Sequence, residues 1–263
     1  MMIKEEIVRL SLPYSDKGEK TVRVYIPEHE EGETFPVVYM TDGQNVFEEE
    51  VSRFGSWFTR EAVRAEKAKN GKAAIIVGIH NDESPLSRNN DLTPKSIGRI
   101  NGLMMKLLAF PSPRGEEFAR FVTEVVKPAV EERFPVKTGR ENTAFCGSSS
   151  GGLESFFIAL TYPEMFSAAG VFSPAFDIYR PKDLESWIRT KIGQDSPFLY
   201  VYIGAGDPRE KKMWKAEQKM IPVLRQLCPP ERLKEVVIPE ALHNEAAWKP
   251  IFEDFLHLFL AEK

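Results

Sequence analysis

The sequence predicts an α/β fold with a mostly parallel central sheet, helices on both faces and an antiparallel hairpin at the N-terminus. Three observations predict it: short runs that are apolar throughout, longer segments with helical apolar spacing, and the alternation of the two. Parallel strands are covered on both faces and are therefore continuously apolar, whereas amphipathic helices repeat about every 3.6 residues. Because the alternation continues along the whole chain, residues 1–263 are predicted to form a single domain.

The predicted elements follow in chain order. Two segments of alternating character, Glu6 to Leu12 and Thr21 to Ile26, are joined by the turn Ser15 to Gly18 and predict the hairpin. The apolar runs that predict the other strands are Phe35 to Met40, Ala73 to Ile79, Thr143 to Cys146, Ala168 to Phe172, Phe198 to Ile203 and Leu233 to Ile238. Helical spacing marks Trp57 to Lys69, Glu116 to Phe134, Ser150 to Leu160, Pro181 to Ile192, Lys211 to Leu227 and Asn244 to Ala261.

Residues 81–115 break this alternation. The segment is punctuated by prolines and glycines and also holds the apolar run Leu103 to Leu108. Long irregular insertions in compact domains are usually binding loops or lids, so we expect a lid that carries a short apolar helix. A disordered surface loop is the alternative that the sequence leaves open.

Composition excludes several classes of partner. The net charge is −4, and lysine and arginine are dispersed along the chain, so a nucleic-acid partner is not expected. No apolar run reaches bilayer length and the first ten residues lack a signal peptide's apolar core, which predicts a cytoplasmic protein without a membrane partner. Two cysteines are too few for a disulfide framework. The oligomeric state is left open.

The pentapeptide Gly147-Ser148-Ser149-Ser150-Gly151 fits the pattern G-x-S-x-G, in which the middle serine occupies a strained strand-to-helix turn. An apolar strand precedes it and a helical run follows it, as that turn requires. Ser149 is therefore the predicted nucleophile, although a serine that merely caps the helix would fit the pentapeptide alone. Cys146, three residues earlier, is the other candidate, but it lies within the apolar strand.

Two backbone amides are predicted to stabilise an oxyanion. The amide of Ser150 lies at a helix N-terminus, where donors are unpaired and the helix dipole is positive. The second amide is expected from Gln44, because Gly43 follows the strand that ends at Met40 and allows a sharp turn. An ordinary Asp-Gly turn is the alternative interpretation.

An acid and a base complete the predicted site. Asp207 ends the turn after the strand Phe198 to Ile203, at the sheet edge where α/β sites lie, and Glu210 is the alternative acid. His243 precedes the last helix and is the predicted general base, because the chain order serine, acid, histidine suits this arrangement. Asp207 would fix the imidazole tautomer while His243 takes the Ser149 proton.

The remaining histidines fit less well. His29 lies in an acidic turn, His257 lies within the last helix, and His80 precedes the elbow in sequence. The segment His80-Asn81-Asp82-Glu83 resembles a metal cluster, but consecutive residues of an extended chain point in different directions. Neither a metal nor an organic cofactor is expected, since the predicted chemistry requires none.

Together these residues resemble the esterase family of α/β-hydrolases that contains esterase D-like enzymes, enterobactin-type esterases and feruloyl esterase domains. The resemblance spans roughly Thr21 to Leu260 and implies an α/β-hydrolase fold, the triad Ser149, Asp207 and His243, and the oxyanion pair Ser150 and Gln44. Many members have methionine where this chain has Ser150, directly after the predicted nucleophile. The motifs that carry the resemblance are Asp42 to Phe47, Arg88, Asp91 to Pro94, Gly147 to Ser155, Gly206-Asp207, His243 to Glu245 and Trp248.

The function that the sequence predicts is a serine carboxylic-ester hydrolase that acts through an acyl-enzyme on small to medium acyl or aryl esters. An acyltransferase with the same triad, a non-catalytic binding module and a peptidase are the alternatives. Arg88 and Trp248 are predicted to contact substrate, Arg88 through an anionic group. A salt bridge for Arg88 and core packing for Trp248 are the ordinary alternatives.

Overall fold

The structure is a computed structural model and describes residues 1–14, 18–48, 55–82 and 84–261. Its strands are β1 (Met2–Ile3), β2 (Glu6–Pro13), β3 (Glu19–Ile26), β4 (His29–Glu30), β5 (Val37–Met40), β6 (Ile75–Ile79), β7 (Thr143–Ser148), β8 (Ala168–Phe172), β9 (Phe198–Gly204) and β10 (Leu233–Ile238). Its α-helices are α1 (Thr59–Asn70), α2 (Pro85–Asp91), α3 (Leu103–Leu108), α4 (Gly115–Arg120), α5 (Lys127–Arg133), α6 (Ser150–Thr161), α7 (Pro181–Lys191), α8 (Pro208–Leu227) and α9 (Glu245–Ala261). Within these ranges, no helix has the length and apolar character needed to cross a membrane.

The chain divides into two compact units, and the first consists of residues 1–81, 120–145 and 244–263. Four of its strands follow the hydrogen-bonded order β5-β6-β3-β2, with β5 parallel to β6 and β3 antiparallel to both of its neighbours. Every residue of β5 and β6 is buried, which explains why these strands are apolar throughout. The predicted hairpin is confirmed, while residues 15–17 of its turn lie outside the described part of the chain.

The second unit consists of residues 82–119 and 146–243. It includes the last residues of β7 and three further strands in the order β10-β9-β8, which are parallel to one another. Helix α6 packs on β8, and α7 packs on α8. All residues of β8 are buried and most of β10 is half-buried, as expected for an inner and an edge strand. The prediction of a mixed α/β fold with mostly parallel strands is confirmed.

The segment predicted as a lid, residues 81–115, contains two short helices, α2 and α3, and α3 coincides with the apolar run Leu103 to Leu108 for which a short helix was expected. Helix α2 begins at Pro85, whose fixed φ suits the first helical position. Within the second unit the segment is anchored by an ion pair between Arg114 and the buried Asp91, and by a β-bridge between Ile100 and Tyr179. Helix α3, by contrast, exposes most of its apolar side chains. The movement of this segment as a lid remains a prediction.

Other elements differ from the prediction mainly at their ends. The helix predicted from Glu116 to Phe134 is continuous but includes a π-helical segment, Phe121–Val126, between α4 and α5. The two short antiparallel strands β1 and β4 were not predicted, because two residues are too few to form a pattern. Helix α8 begins at Pro208, three residues before the predicted start.

Candidate active site

The turn between β7 and α6 holds Ser149 in a strained backbone conformation. Its φ of 61° and ψ of −124° are unfavourable for a residue with a side chain. Hydrogen bonds fix this conformation: the Ser149 amide donates to Phe172 O at 2.9 Å, and the Ser149 carbonyl accepts from the amides of Leu153 and Ala175, each at 3.1 Å. The strand-turn-helix setting expected around Ser149 is therefore present.

Close packing beside this turn depends on Gly152, in the first turn of α6. A Cβ atom built at Gly152 would lie 2.5 Å from the Phe172 carbonyl oxygen and 3.1 Å from the Phe172 amide nitrogen. Backbone atoms of a central strand cannot move away easily, so only glycine fits this position. Gly152, which extends the G-x-S-x-G motif, thus holds α6 against β8.

Gly152→Ala is expected to lower the free energy of unfolding by about 2 kcal/mol, because the added methyl group collides with β8. The esterase kcat should fall as well, since the turn that holds Ser149 shifts with the helix. Urea denaturation and initial rates check this expectation. Gly193→Ala is the matched control, since no atom lies within 4 Å of a Cβ built there. Equal stability of the two variants would contradict the packing argument.

The imidazole of His243 lies against Glu210 in the second unit. Nδ1 of His243 is 3.2 Å from Oε1 of Glu210, and both side chains are almost completely buried. The same Oε1 atom accepts a 2.6 Å hydrogen bond from the hydroxyl of Ser173. A carboxylate at Nδ1 is the arrangement that fixes the imidazole tautomer and stabilises the imidazolium. Glu210 is the alternative acid that the sequence offers, whereas its contact with Ser173 was not predicted.

The carboxylate of Asp207, the acid that the sequence favours, binds backbone amides instead. Oδ1 accepts from the amides of Arg209 at 2.8 Å and Glu210 at 3.0 Å, which caps α8, and Oδ2 accepts from the amide of His243 at 2.6 Å. Desolvation opposes ionisation of Asp207, but these three donors outweigh it and hold the pKa of Asp207 below its usual value. Both acids therefore contact His243, Glu210 at the imidazole and Asp207 at the backbone amide.

Arg209 is a residue of this site that sequence analysis missed. Its Nη2 atom donates a hydrogen bond to Oγ of Ser149 at 2.9 Å, although the two residues are 60 positions apart. Burial and, after it, the positive charge of Arg88 lower the pKa of Arg209. Arg88, the predicted contact for an anionic group, lies half-buried on α2.

The two predicted oxyanion donors lie in different parts of the chain. Ser150 is the first residue of α6, where its amide has no carbonyl partner four residues back within the helix. Gln44 lies in a short 3-10 turn of the first unit, and its side-chain Oε1 accepts from the amide of Asn81 at 3.2 Å. A Cβ atom at Gly43 would lie 2.4 Å from the Gly78 carbonyl carbon, so glycine is required before Gln44.

Trp248, the second predicted substrate contact, packs in the first unit. Its ring lies 5.8 Å from that of Trp57, and only 4% of the residue is exposed. This burial favours core packing over the predicted contact with substrate.

Cys146 and His80 lie in surroundings that disfavour the charged forms of their side chains. Cys146 is completely buried, and desolvation raises the pKa of its thiol, which disfavours the thiolate. Burial and the charges of Arg23 and Arg9 lower the pKa of His80 to about 4. In the ranges that the structure describes, no group of three or more histidine, cysteine, aspartate or glutamate side chains is placed to hold a metal ion.

Glu217 lies two helical turns after Glu210 on α8 and is 3% exposed. Burial and then the charges of Glu210 and Glu235 raise the pKa of Glu217 from an ordinary 4.5 to about 8. Between these two pH values the folded state keeps a proton that the unfolded state releases. Stability should therefore fall as the pH rises through this window, by up to about 1.4 kcal/mol per pH unit.

Glu217→Gln, which cannot ionise, is expected to remove most of this pH dependence. The measurement is the free energy of unfolding in urea at pH 5, 6, 7 and 8 for the wild type and the variant. Glu185→Gln, at an exposed glutamate that pairs with Arg189, serves as the control and should keep the wild-type slope. A Glu217→Gln slope equal to that of the wild type would contradict the assignment of a buried, protonated Glu217.

Comparison with known proteins places this architecture in a family. Residues 15–250 match the model of the family described as "Putative esterase". Protein YbbA of Bacillus subtilis strain 168, described as uncharacterized, is 22% identical over 204 residues, which cover 77% of this chain and 74% of YbbA.

Two solved structures of similar size are comparable over almost the whole chain. An IroE-like serine hydrolase from Shewanella oneidensis is 20% identical with a TM-score of 0.71, and the match covers 97% of this chain and 80% of that protein. Siderophore hydrolase EstA from Aspergillus nidulans is 20% identical with a TM-score of 0.73, covering 98% of this chain and 95% of EstA. At such identities the likeness establishes the fold.

The fold and the family match define an esterase, an enzyme that hydrolyses ester substrates, with the α/β-hydrolase fold. The chain belongs to the putative esterase family. The resemblance noted from the sequence motifs is thereby confirmed, as is the expectation of an ester hydrolase.

Proposed function

We propose that the enzyme hydrolyses carboxylic esters through a covalent acyl-enzyme on Ser149, with His243 as general base and Glu210 as the orienting acid. The observation that carries this proposal is the 3.2 Å approach of Glu210 Oε1 to His243 Nδ1, in the same unit as the strained Ser149 turn. A strained serine, a buried imidazole and a buried carboxylate are the three groups that acyl transfer requires.

The chemistry follows from the proton affinities of these groups. His243 takes the Ser149 proton through Nε2 as Oγ attacks the ester carbonyl, and Glu210 stabilises the imidazolium that forms. The protonated imidazole then gives its proton to the departing alcohol or phenol, which leaves the acyl group on Oγ. Water, activated by the same imidazole, hydrolyses the acyl-enzyme and restores Ser149.

Charge that develops on the carbonyl oxygen needs donors already in place. The amide of Ser150 supplies the first, because it opens α6 directly after the nucleophile and lies at the positive end of the helix dipole. The amide of Gln44 is proposed as the second donor, on the sequence pattern and on the tight turn that Gly43 permits. Small to medium acyl or aryl esters remain the proposed substrates.

The nucleophile is tested by labelling with a fluorophosphonate, which phosphonylates activated serines, followed by peptide mapping in a mass spectrometer. We expect one adduct, on Ser149, in the wild type and in Ser148→Ala, and none in Ser149→Ala. The Ser148→Ala variant is the matched control because Ser148 is an equally buried neighbour on the same turn. A folded wild-type protein that gives no adduct, or an adduct on another residue, would overturn the proposal.

A further inference from the structure

Ser173, directly after β8, has a strained backbone conformation. Its φ of 43° lies in the left-handed region, which glycine adopts freely and which residues with a Cβ atom adopt at a cost. The residue is completely buried, and its amide donates to the Tyr202 carbonyl of β9 at 2.6 Å. Such strain persists only where the surrounding structure imposes it, and it clusters at functional sites. We therefore looked for a role of the Ser173 side chain.

The hydroxyl of Ser173 is a hydrogen-bond donor to the Glu210 carboxylate. It donates at 2.6 Å to Oε1 of Glu210, the oxygen that lies 3.2 Å from Nδ1 of His243. The other oxygen, Oε2, has no hydrogen-bond partner among the residues that the structure describes. Glu210 is completely buried, and a buried carboxylate with few donors depends strongly on each of them.

The backbone on either side of Ser173 contacts the turn that holds Ser149. The carbonyl of Phe172 accepts a hydrogen bond from the Ser149 amide at 2.9 Å, and the amide of Ala175 donates to the Ser149 carbonyl at 3.1 Å. The segment 172–175 thus contacts the backbone of the proposed nucleophile and the side chain of the proposed acid. Its conformation fixes the hydroxyl of Ser173 relative to both.

We propose that Ser173 is a positioning residue, whose strained backbone directs its hydroxyl at Glu210 and so holds the carboxylate against the imidazole of His243. The inference rests on the proposed function, because it takes Glu210 as the orienting acid. It adds to that function a residue that acts through Glu210 rather than on the substrate.

The physical reason is the positive charge that forms on the imidazole. When His243 takes the Ser149 proton, the imidazolium is stabilised by a carboxylate that is already in place. A hydrogen bond from a hydroxyl to a carboxylate is stronger than one between neutral groups, so it also restricts rotation of the carboxylate. Without this donor the carboxylate is less well placed as the transition state forms. The loss should therefore appear in kcat and leave KM little changed.

The test uses two substitutions that remove the same hydroxyl but differ in backbone strain. In Ser173→Ala and in Ser173→Gly, kcat for an aryl ester should fall by about 10- to 100-fold, with KM changed by less than about threefold. Glycine adopts a positive φ without strain, so Ser173→Gly should melt at a higher temperature than Ser173→Ala. A role confined to stability would instead spare the activity of the glycine variant. If Ser173→Ala fails to fold, the kinetic test is made with Ser173→Gly alone.

A double-mutant cycle tests whether the hydroxyl acts through the acid. In the Glu210→Gln background no carboxylate is left to position, so Ser173→Gly should lower kcat further by less than about threefold. Ser155→Ala is the matched control, because it also removes a completely buried hydroxyl, one that donates to the Gly151 carbonyl at 2.8 Å within α6. This control should keep kcat within about threefold of the wild type.

Two kinetic results would overturn the positioning role. One is a kcat in Ser173→Gly within about threefold of the wild type, while Glu210→Gln loses activity. The other is an equal loss of kcat from Ser173→Gly in both backgrounds, which would show that the hydroxyl acts independently of the acid. An unchanged kcat in Glu210→Gln would overturn the proposed acid itself, and this inference with it, so the two failures are distinguishable.

Discussion

Replacement of Ser149 by alanine is expected to lower kcat for an aryl ester by about 10⁵-fold or more, which leaves only the rate due to binding and the oxyanion donors. The loss is this large because, in the proposed mechanism, the hydroxyl oxygen of Ser149 is the atom that becomes acylated. The nearby thiol of Cys146 is a poor substitute, because it is completely buried and desolvation raises its pKa. Initial rates at saturating substrate, with thermal melting to verify the fold, measure the effect.

Neighbouring serines provide the controls for this variant. Ser148→Ala and Ser150→Ala each remove one buried hydroxyl from the same turn, and Ser150→Ala keeps the amide proposed as an oxyanion donor. Both are expected to retain kcat within about tenfold of the wild type, a loss far smaller than that of a missing nucleophile. Retention of more than a hundredth of the wild-type kcat in Ser149→Ala would show that another residue attacks the ester.

Glu210→Gln is expected to lower kcat by about 10³- to 10⁴-fold, because a neutral amide cannot stabilise the imidazolium of His243. Glutamine keeps an acceptor oxygen for the 2.6 Å hydrogen bond from Ser173, so the buried position remains filled. The loss should therefore appear in kcat, with little change in melting temperature. Steady-state kinetics from pH 5 to pH 9 and thermal melting make the measurement.

Asp207→Asn separates the two acids. Asparagine still caps a helix, but it loses the charge that strengthens the hydrogen bonds from three amides. The free energy of unfolding is therefore expected to fall by about 1 kcal/mol. The loss of kcat should be smaller than in Glu210→Gln. A reversed order, with kcat nearly unchanged in Glu210→Gln and abolished in Asp207→Asn, would return the acid to the residue that the sequence favours.

Much of the fold follows from local patterns. The buried strands β5, β6, β8 and β9 are apolar at nearly every position, because both faces are covered, and this is the signal that predicted them. Helix α2 escaped prediction because it is seven residues long and rich in polar side chains. The π-helical segment within the α4–α5 helix has no period of its own that a sequence could reveal.

The candidate site was predictable where geometry is local. The turn at Ser149 requires small neighbours, so the G-x-S-x-G motif identifies this serine from the sequence alone. The choice between Asp207 and Glu210 depends instead on the directions in which two side chains of one helical turn point. One signal was available: Asp207-Pro208 is a typical start of a helix, with the aspartate as cap. A capping carboxylate accepts hydrogen bonds from backbone amides, so Glu210 is the acid whose side chain lies against the imidazole. Arg209 carried no such signal, because its contact with Ser149 is purely tertiary.

The central claim is that ester hydrolysis proceeds through an acyl group on Ser149. Rapid quenching of the enzyme during turnover of 4-nitrophenyl acetate, followed by intact-protein and peptide mass spectrometry, tests it most directly. The account predicts an increment of one acetyl group on the peptide that contains Ser149, formed as fast as the burst of nitrophenol and absent from Ser149→Ala. Acetylation of a different residue during turnover, or a burst that persists unchanged in Ser149→Ala, would contradict it.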